Sequence, residues 1–245
     1  MGNLEPEQAL VNLLTAFNRK ERYWLLQEAH REHVKTLSSQ FLCKLNNLKI
    51  EGLDSIPQDC WWGFDYHLDW IAVALSMIQQ EPTNEFSKSS EFSTWTEKDA
   101  NNCNFVDQIQ LVRGSQQDAD LLLAFKKTLI IVEAKGGTDW SKQQMGPKAE
   151  RFKELHKLAG NAGVTLQVVL TSPKPPPLTF RQAAWWPDWA RDPERAPFHV
   201  VLPFGEQGRP FFQPKRQSKS GPGERVLELK KTNVVSVDGK ACLSR

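Results

Sequence analysis

Two aliphatic runs separated by a pair of lysines constrain this chain more than any other feature. They are Asp118-Ala119-Asp120-Leu121-Leu122-Leu123-Ala124-Phe125 and Thr128-Leu129-Ile130-Ile131-Val132-Glu133-Ala134-Lys135, with Lys126-Lys127 between them. β-Branched and aliphatic residues running together predict strands, here over Gln116–Phe125 and Thr128–Lys135. A hairpin centred between Lys126 and Lys127 places Asp120 opposite Glu133 and Asp118 opposite Lys135. Neither lysine favours the positive φ of a tight two-residue turn; a four-residue loop from Phe125 to Thr128 keeps the same register. Side chains alternate along a strand, so Glu133 and Lys135 share one face.

Directly opposed residues of an antiparallel pair hold their Cβ atoms about 5 Å apart, and like charges there destabilise the pair. Two carboxylates so close call for a proton or a cation between them. Mg²⁺ or Mn²⁺ suits such oxygen ligands and completes its shell with water and substrate phosphate. Lys135 would then position the nucleophile or neutralise charge growing on phosphorus. The plain alternative is a cross-strand ion pair between Asp118 and Lys135, worth less than about 1 kcal/mol, with Asp120 a turn residue and Glu133 a strand end in water.

Around this pair the pattern is helical first and mixed later. Apolar residues at helical spacing predict helices from Pro6 to about His33, over Phe41–Leu48, and from Asp65 to Gln80. Glu81–Asn104 is polar and reads as a long loop or lid, and Asp107–Val112 as a strand preceding the hairpin. Gly136 and Gly137 end the third strand. Pro147 then opens a helix whose stripe is Ala149, Phe152, Leu155 and Ala159, closed by Gly160, Asn161 and Gly163. Val164–Thr171 reads as a buried strand, Pro173–Pro177 as a turn, and Phe198–Leu202 as a last strand.

Asp120 followed by Glu133-Ala134-Lys135, with a helix and a buried strand after it, resembles the PD-(D/E)xK nucleases, the restriction-endonuclease-like superfamily. The resemblance covers roughly Asp65 to Leu202. It implies an α/β fold: a helix, a three-stranded antiparallel meander, a helix and a strand, forming a central mixed sheet flanked by helices. Residues 1–60 would be a helical N-terminal extension, 61–205 the core and 206–245 a basic tail. By the same resemblance Asp120 and Glu133 are metal ligands, the Ala134 backbone carbonyl is a further one, and Lys135 is catalytic. An acid on the first core helix often joins them; Asp69 is the first choice and Asp65 the second. Ala119 stands where the family pattern has proline.

The implied activity is metal-dependent hydrolysis of DNA phosphodiester bonds, with Mg²⁺ or Mn²⁺ as cofactor. The alternative is a catalytically inactive protein of this fold that binds nucleic acid or protein. Gln144, Lys148 and Arg151 follow the triplet and are candidate DNA contacts. Gly146 and Pro147 argue against one continuous helix there, so a solvated basic face with Lys153 and Lys157 is the competing reading. From Glu206 onward nine Lys/Arg face four acids, in a chain whose net charge is only +2, which is compatible with a polyanionic partner. Trp185, Trp186 and Trp189 would either stack on unpaired bases or anchor a Pro-rich loop to the core.

The remaining composition excludes classes. The four cysteines form no CxxC pair and the five histidines no HExxH, so structural zinc is not expected and the thiols are read as reduced. No apolar run approaches the roughly 18 residues of a membrane span, and Met1–Glu7 lacks a basic-then-apolar leader pattern. The expected location is the cytoplasm, without a membrane partner, and a homodimer is a candidate assembly.

Overall fold

The computed structural model describes residues 6–16, 36–79, 109–114, 117–135, 140–201, 211–218 and 225–232. The two aliphatic runs form β2 (Asp118–Phe125) and β3 (Thr128–Ala134). They pair in the expected register, from Phe125↔Thr128 to Leu121↔Val132. The turn is the tight two-residue one: Lys126 takes a φ of 45° and its ammonium meets Asp54 at 2.8 Å. That exposed pair adds little; the long apolar ladder on either side holds the lysine in the left-handed region.

The sheet has five strands in the order β1-β2-β3-β4-β5. β1 is Trp61–His67, β4 Thr165–Ser172 and β5 His199–Val201. β1–β2 and β2–β3 are antiparallel, whereas β3–β4 and β4–β5 are parallel, so the sheet is mixed. β3 lies in the middle and is buried on both faces, which explains its unalternating sequence. Each fully buried Leu or Ile there stabilises the fold by roughly 1.5–3 kcal/mol.

Helices cover both faces. One face packs Leu10, Leu13 and Leu14 of α1 (Pro6–Ala16) with α3 (Leu68–Gln79) and α4 (Lys142–Asn161). The opposite face packs Leu42 and Leu45 of α2 (Ser39–Asn46) against Leu121, Leu123, Ile130 and Val132. The Trp segment anchors to the first face: Trp186 is buried, its indole N–H donates to the Ala190 carbonyl at 3.0 Å, and Trp185 and Trp189 pack beside it. A four-residue helix, α5 (Leu178–Arg181), lies just before it.

Three expectations are corrected. The helix predicted from Asp65 begins at Leu68, because Trp61–His67 form the first strand of the sheet, ahead of the helix rather than after it. Trp, Phe and Tyr favour strands, and Asp65 at a φ of 48° lets Phe64 and Tyr66 reach opposite faces. The strand predicted over Asp107–Val112 is absent from its described part, 109–112, where Ile109 and Leu111 pack against the helical face. The third concerns Pro147, which lies inside α4. Ser141 caps the helix, its hydroxyl accepting from the Gln144 N–H, and Met145 and Ala149 are buried on either side of the proline. Gly163, at a φ of 66°, closes the helix in the left-handed conformation that glycine adopts most readily.

Cys43 is disulfide-bonded, contrary to the expectation of reduced thiols, whereas Cys60 is a buried free thiol pushed up to about 11 by burial and by Asp59. The basic tail carries a two-stranded antiparallel sheet of β6 (Phe211–Ser218) and β7 (Arg225–Thr232). The predicted lid over Glu81–Asn104, the Gly136-Gly137 stop and the far part of the first helix lie outside the described residues. No helix among those residues is long and apolar enough to cross a membrane.

Candidate active site

The acids and lysines singled out by sequence sit where β2 and β3 outrun their ladder. That ladder ends at Leu121↔Val132, and beyond it the strands are joined by a side chain: Asp120 Oδ2 accepts the Ala134 N–H at 2.6 Å. Ala134 therefore turns its N–H toward β2. On its other side β3 continues its parallel pairing with β4, through Ala134↔Thr171 and the Lys135 N–H to the Thr171 carbonyl at 2.8 Å. The end of β3 is thus gripped from both neighbours.

Glu133 is 2% exposed and faces α4. Its Oε2 is 2.5 Å from Lys148 Nζ, which also donates to the Asp118 carbonyl at 2.7 Å. Its Oε1 is buried and accepts no hydrogen bond among the described residues. Burial pushes Glu133 up to about 7; Lys148 and Lys135 oppose the rise, and the negative charge of Asp120 adds to it. Asp120 thus bears electrostatically on the same carboxylate, as the pairing of the two strands predicts.

Lys148 corrects the reading of a solvated basic face. Because α4 starts at Lys142, Lys148 lies on its second turn and reaches the sheet, while Lys153 pairs with Glu150 at the surface. The capping pattern Ser141-Lys142-Gln143-Gln144 was the signal for this earlier start. Gln144 itself is exposed and contributes only its N–H to that cap.

Arg151, a candidate DNA contact in the sequence, is fully buried, with Nη2 2.8 Å from Asp69 Oδ1 and 2.6 Å from the Leu111 carbonyl. Its Nη1 reaches the Gln110 carbonyl at 2.7 Å and Glu154 at 2.9 Å, and Glu154 also pairs with Arg113. Asp69, the first-choice helix acid, has both oxygens engaged. Oδ1 is held by Arg151, and Oδ2 accepts the Arg113 and Gly114 N–H groups at 2.8 and 3.1 Å. Its carboxylate anchors Arg113 and Gly114 and is itself held by Arg151. Asp65, the second choice, lies within β1.

A further group joins the site from β4. Lys135 Nζ lies 5.9 Å from the Trp140 ring centroid, and the Trp140 indole donates to the Ser172 hydroxyl at 2.9 Å. Ser172 Oγ also contacts the Lys174 carbonyl at 2.6 Å and His199 Nε2 at 2.9 Å. Burial brings His199 down to about 4, so it is neutral near pH 7.

Carboxylate oxygens are the donor type that a hard divalent ion takes. Glu133 Oε1 is a buried oxygen awaiting a partner, and Asp120 supplies a second carboxylate. No group of three or more His, Cys, Asp or Glu that could hold a metal occurs among the described residues. Two carboxylates with water and substrate oxygens completing the shell is how Mg²⁺ is commonly bound. No protein-family profile, no characterised protein and no solved structure matches this chain.

Proposed function

We propose that this chain is a metal-dependent nuclease of the PD-(D/E)xK type, with a restriction-endonuclease-like core, that hydrolyses DNA phosphodiester bonds. The observation that carries the reading is the Glu133 carboxylate, buried beside Asp120 with one oxygen on Lys148 and the other unpartnered among the described residues. The antiparallel β1–β2–β3 unit, followed by α4 and a parallel β4, supports the same reading.

In this proposal Asp120, Glu133 and the Ala134 carbonyl hold Mg²⁺ or Mn²⁺. Such an ion supplies Lewis acidity toward a phosphate oxygen and makes water acidic enough to act as a nucleophile near neutral pH. Lys148 fixes the Glu133 carboxylate and is itself fixed by the Asp118 carbonyl. Lys135, beside the Trp140 ring, places its ammonium where the attacking water or the charge developing on phosphorus needs it. Burial holds the Glu133 carboxylate in a low-dielectric surround, which strengthens its contact with Lys148.

A second reading, a catalytically inactive DNA- or protein-binding module, is favoured by one observation. The Lys148 ammonium already sits on Glu133, as a cation would. The test is cleavage of plasmid and linear DNA with Mn²⁺ or Mg²⁺, alongside calorimetric titration with Mn²⁺. Wild-type protein is expected to bind Mn²⁺ and cut, and Lys135→Ala to lose cutting with an almost unchanged melting temperature. Absence of Mn²⁺ binding by the wild type would favour the binding module.

A further inference from the structure

Between α5 and the turn that precedes β5 lies a cavity of about 530 Å³, whose lining includes Leu178, Arg181, Asp188, Arg191, Glu194 and Arg195. Arg191 builds it. The Arg191 side chain is 8% exposed, and its Nη1 donates to the carbonyls of both Arg181 and Arg195, at 2.6 and 2.7 Å. Its Nη2 donates to the Ala183 and Trp186 carbonyls at 2.6 and 3.0 Å. Two residues far apart in the chain, Arg181 and Arg195, are thereby pinned side by side. Both are exposed, and neither side chain makes an ion pair or a hydrogen bond among the described residues. Arg195 also takes a φ of 63°, a left-handed conformation that glycine or asparagine adopts at lower cost. Asp192 holds it there: its carbonyl accepts the Arg195 N–H at 2.8 Å and its Oδ1 accepts the Ala196 N–H at 2.8 Å. An arginine kept at a strained position with its charge unpaired points to a ligand.

We propose that this cavity binds a hydroxyl-bearing phosphomonoester of nucleotide size, with Arg181 and Arg195 on the phosphate. None of its lining residues belongs to the Glu133 site, so the proposal does not rest on the nuclease reading. The volume falls within the roughly 300–1,000 Å³ of small-molecule sites. The charge balance suits a small ligand better than a nucleic-acid backbone. Asp188 Oδ1 lies 3.3 Å from Arg191 Nε, so those two charges offset each other, and Glu194 stands against the two remaining arginines. One guanidinium fork satisfies both oxygens of a carboxylate, whereas two forks match the three terminal oxygens and the charge of about −2 on a phosphomonoester. Asp188 and Glu194 are acceptors for ligand hydroxyl groups. Leu178, 56% exposed, gives the body of the ligand an apolar wall.

The test is calorimetric titration of the full chain in EDTA with adenosine 5′-monophosphate and with glucose 6-phosphate, against adenosine, glucose and inorganic phosphate. At least one phosphomonoester should bind, about tenfold or more tighter than its unphosphorylated counterpart and than inorganic phosphate, and which one binds identifies the body the cavity holds. Arg181→Gln and Arg195→Gln should each weaken that binding roughly tenfold, as the loss of a charge-assisted hydrogen bond dictates. Arg195→Gly should weaken it as much without lowering the melting temperature, because relief of the left-handed residue offsets the greater freedom of the unfolded chain. A purely structural arginine would not separate those two readouts. Failure of the wild type to bind either phosphomonoester, or unchanged affinity in both Gln variants, would overturn the proposal. So would equally tight binding of inorganic phosphate, or tighter binding of a 5′-phosphorylated oligonucleotide. Mn²⁺ titration is a separate measurement, so loss of the metal site leaves this cavity standing, and the reverse holds too.

Discussion

Lys148 on α4 and Glu133 on β3 meet at 2.5 Å across the helix–sheet boundary, joining the most buried acid near the site to a lysine on the following helix. The pair explains why a carboxylate can lie against the aliphatic centre of the sheet. It also leaves a measurable signature in how stability depends on pH.

Glu133 is raised from 4.5 to about 7 by burial, against the opposing charge of Lys148. Between these values the native chain keeps a proton that the unfolded chain has released, so stability falls as pH rises through the window, by up to roughly 3 kcal/mol. In EDTA, Glu133→Gln should flatten this slope, leaving stability at pH 5 nearly unchanged and raising it at pH 8. Melting temperatures between pH 5 and 8 check this; a variant with the wild-type slope would refute it.

Lys148→Met removes the donor shared by Glu133 and the Asp118 carbonyl. The expected loss is about 3 kcal/mol at pH 8, where Glu133 would be a buried unpaired charge, and distinctly less at pH 5, where it is protonated. Urea midpoints at the two pH values decide it.

Arg151→Met strands the buried Asp69 carboxylate and two backbone carbonyls, so a destabilisation of about 3–5 kcal/mol is expected in urea titrations. Asp69→Asn should leave Mn²⁺ affinity as it is in the wild type, since both Asp69 oxygens are spent on Arg151 and on the 113–114 backbone. A tenfold loss of Mn²⁺ affinity would return Asp69 to the metal site.

The Tyr66 hydroxyl donates to the Leu14 carbonyl at 2.8 Å and ties α1 to the sheet. Tyr66→Phe leaves that buried carbonyl unsatisfied and should lower stability by about 1–2 kcal/mol. Hydrogen exchange in α1 should accelerate more than in β3, which is the readout specific to this contact.

The hairpin register was legible because two unbroken aliphatic runs allow few pairings, and a one-residue slip would bury Asp120 and Glu133 differently. The buried strand at Thr165–Ser172 was legible for the same reason. Trp61–His67 was missed because Gly63 and Asp65 interrupt its aromatic residues; the left-handed Asp65 that makes the interruption workable leaves no pattern in the sequence. The start of α4 was misplaced because Pro147 spoke louder than the Ser141 cap, and with it went the Lys148–Glu133 contact. Asp69 and Arg151 were assigned to metal and DNA for want of any local sign that residues so far apart in the chain would meet. Long-range ion pairs depend on packing that no window of sequence contains.

The position of β3 as the third of five strands has a dynamic corollary. Residues 128–132 of β3 are flanked by strand partners on both sides and cannot be released by fraying an edge, so the strand leading to Glu133 opens only when the whole domain does. Whatever adjusts to an incoming ligand must therefore be the side chains and the peripheral segments, while the carboxylate keeps its place throughout each encounter.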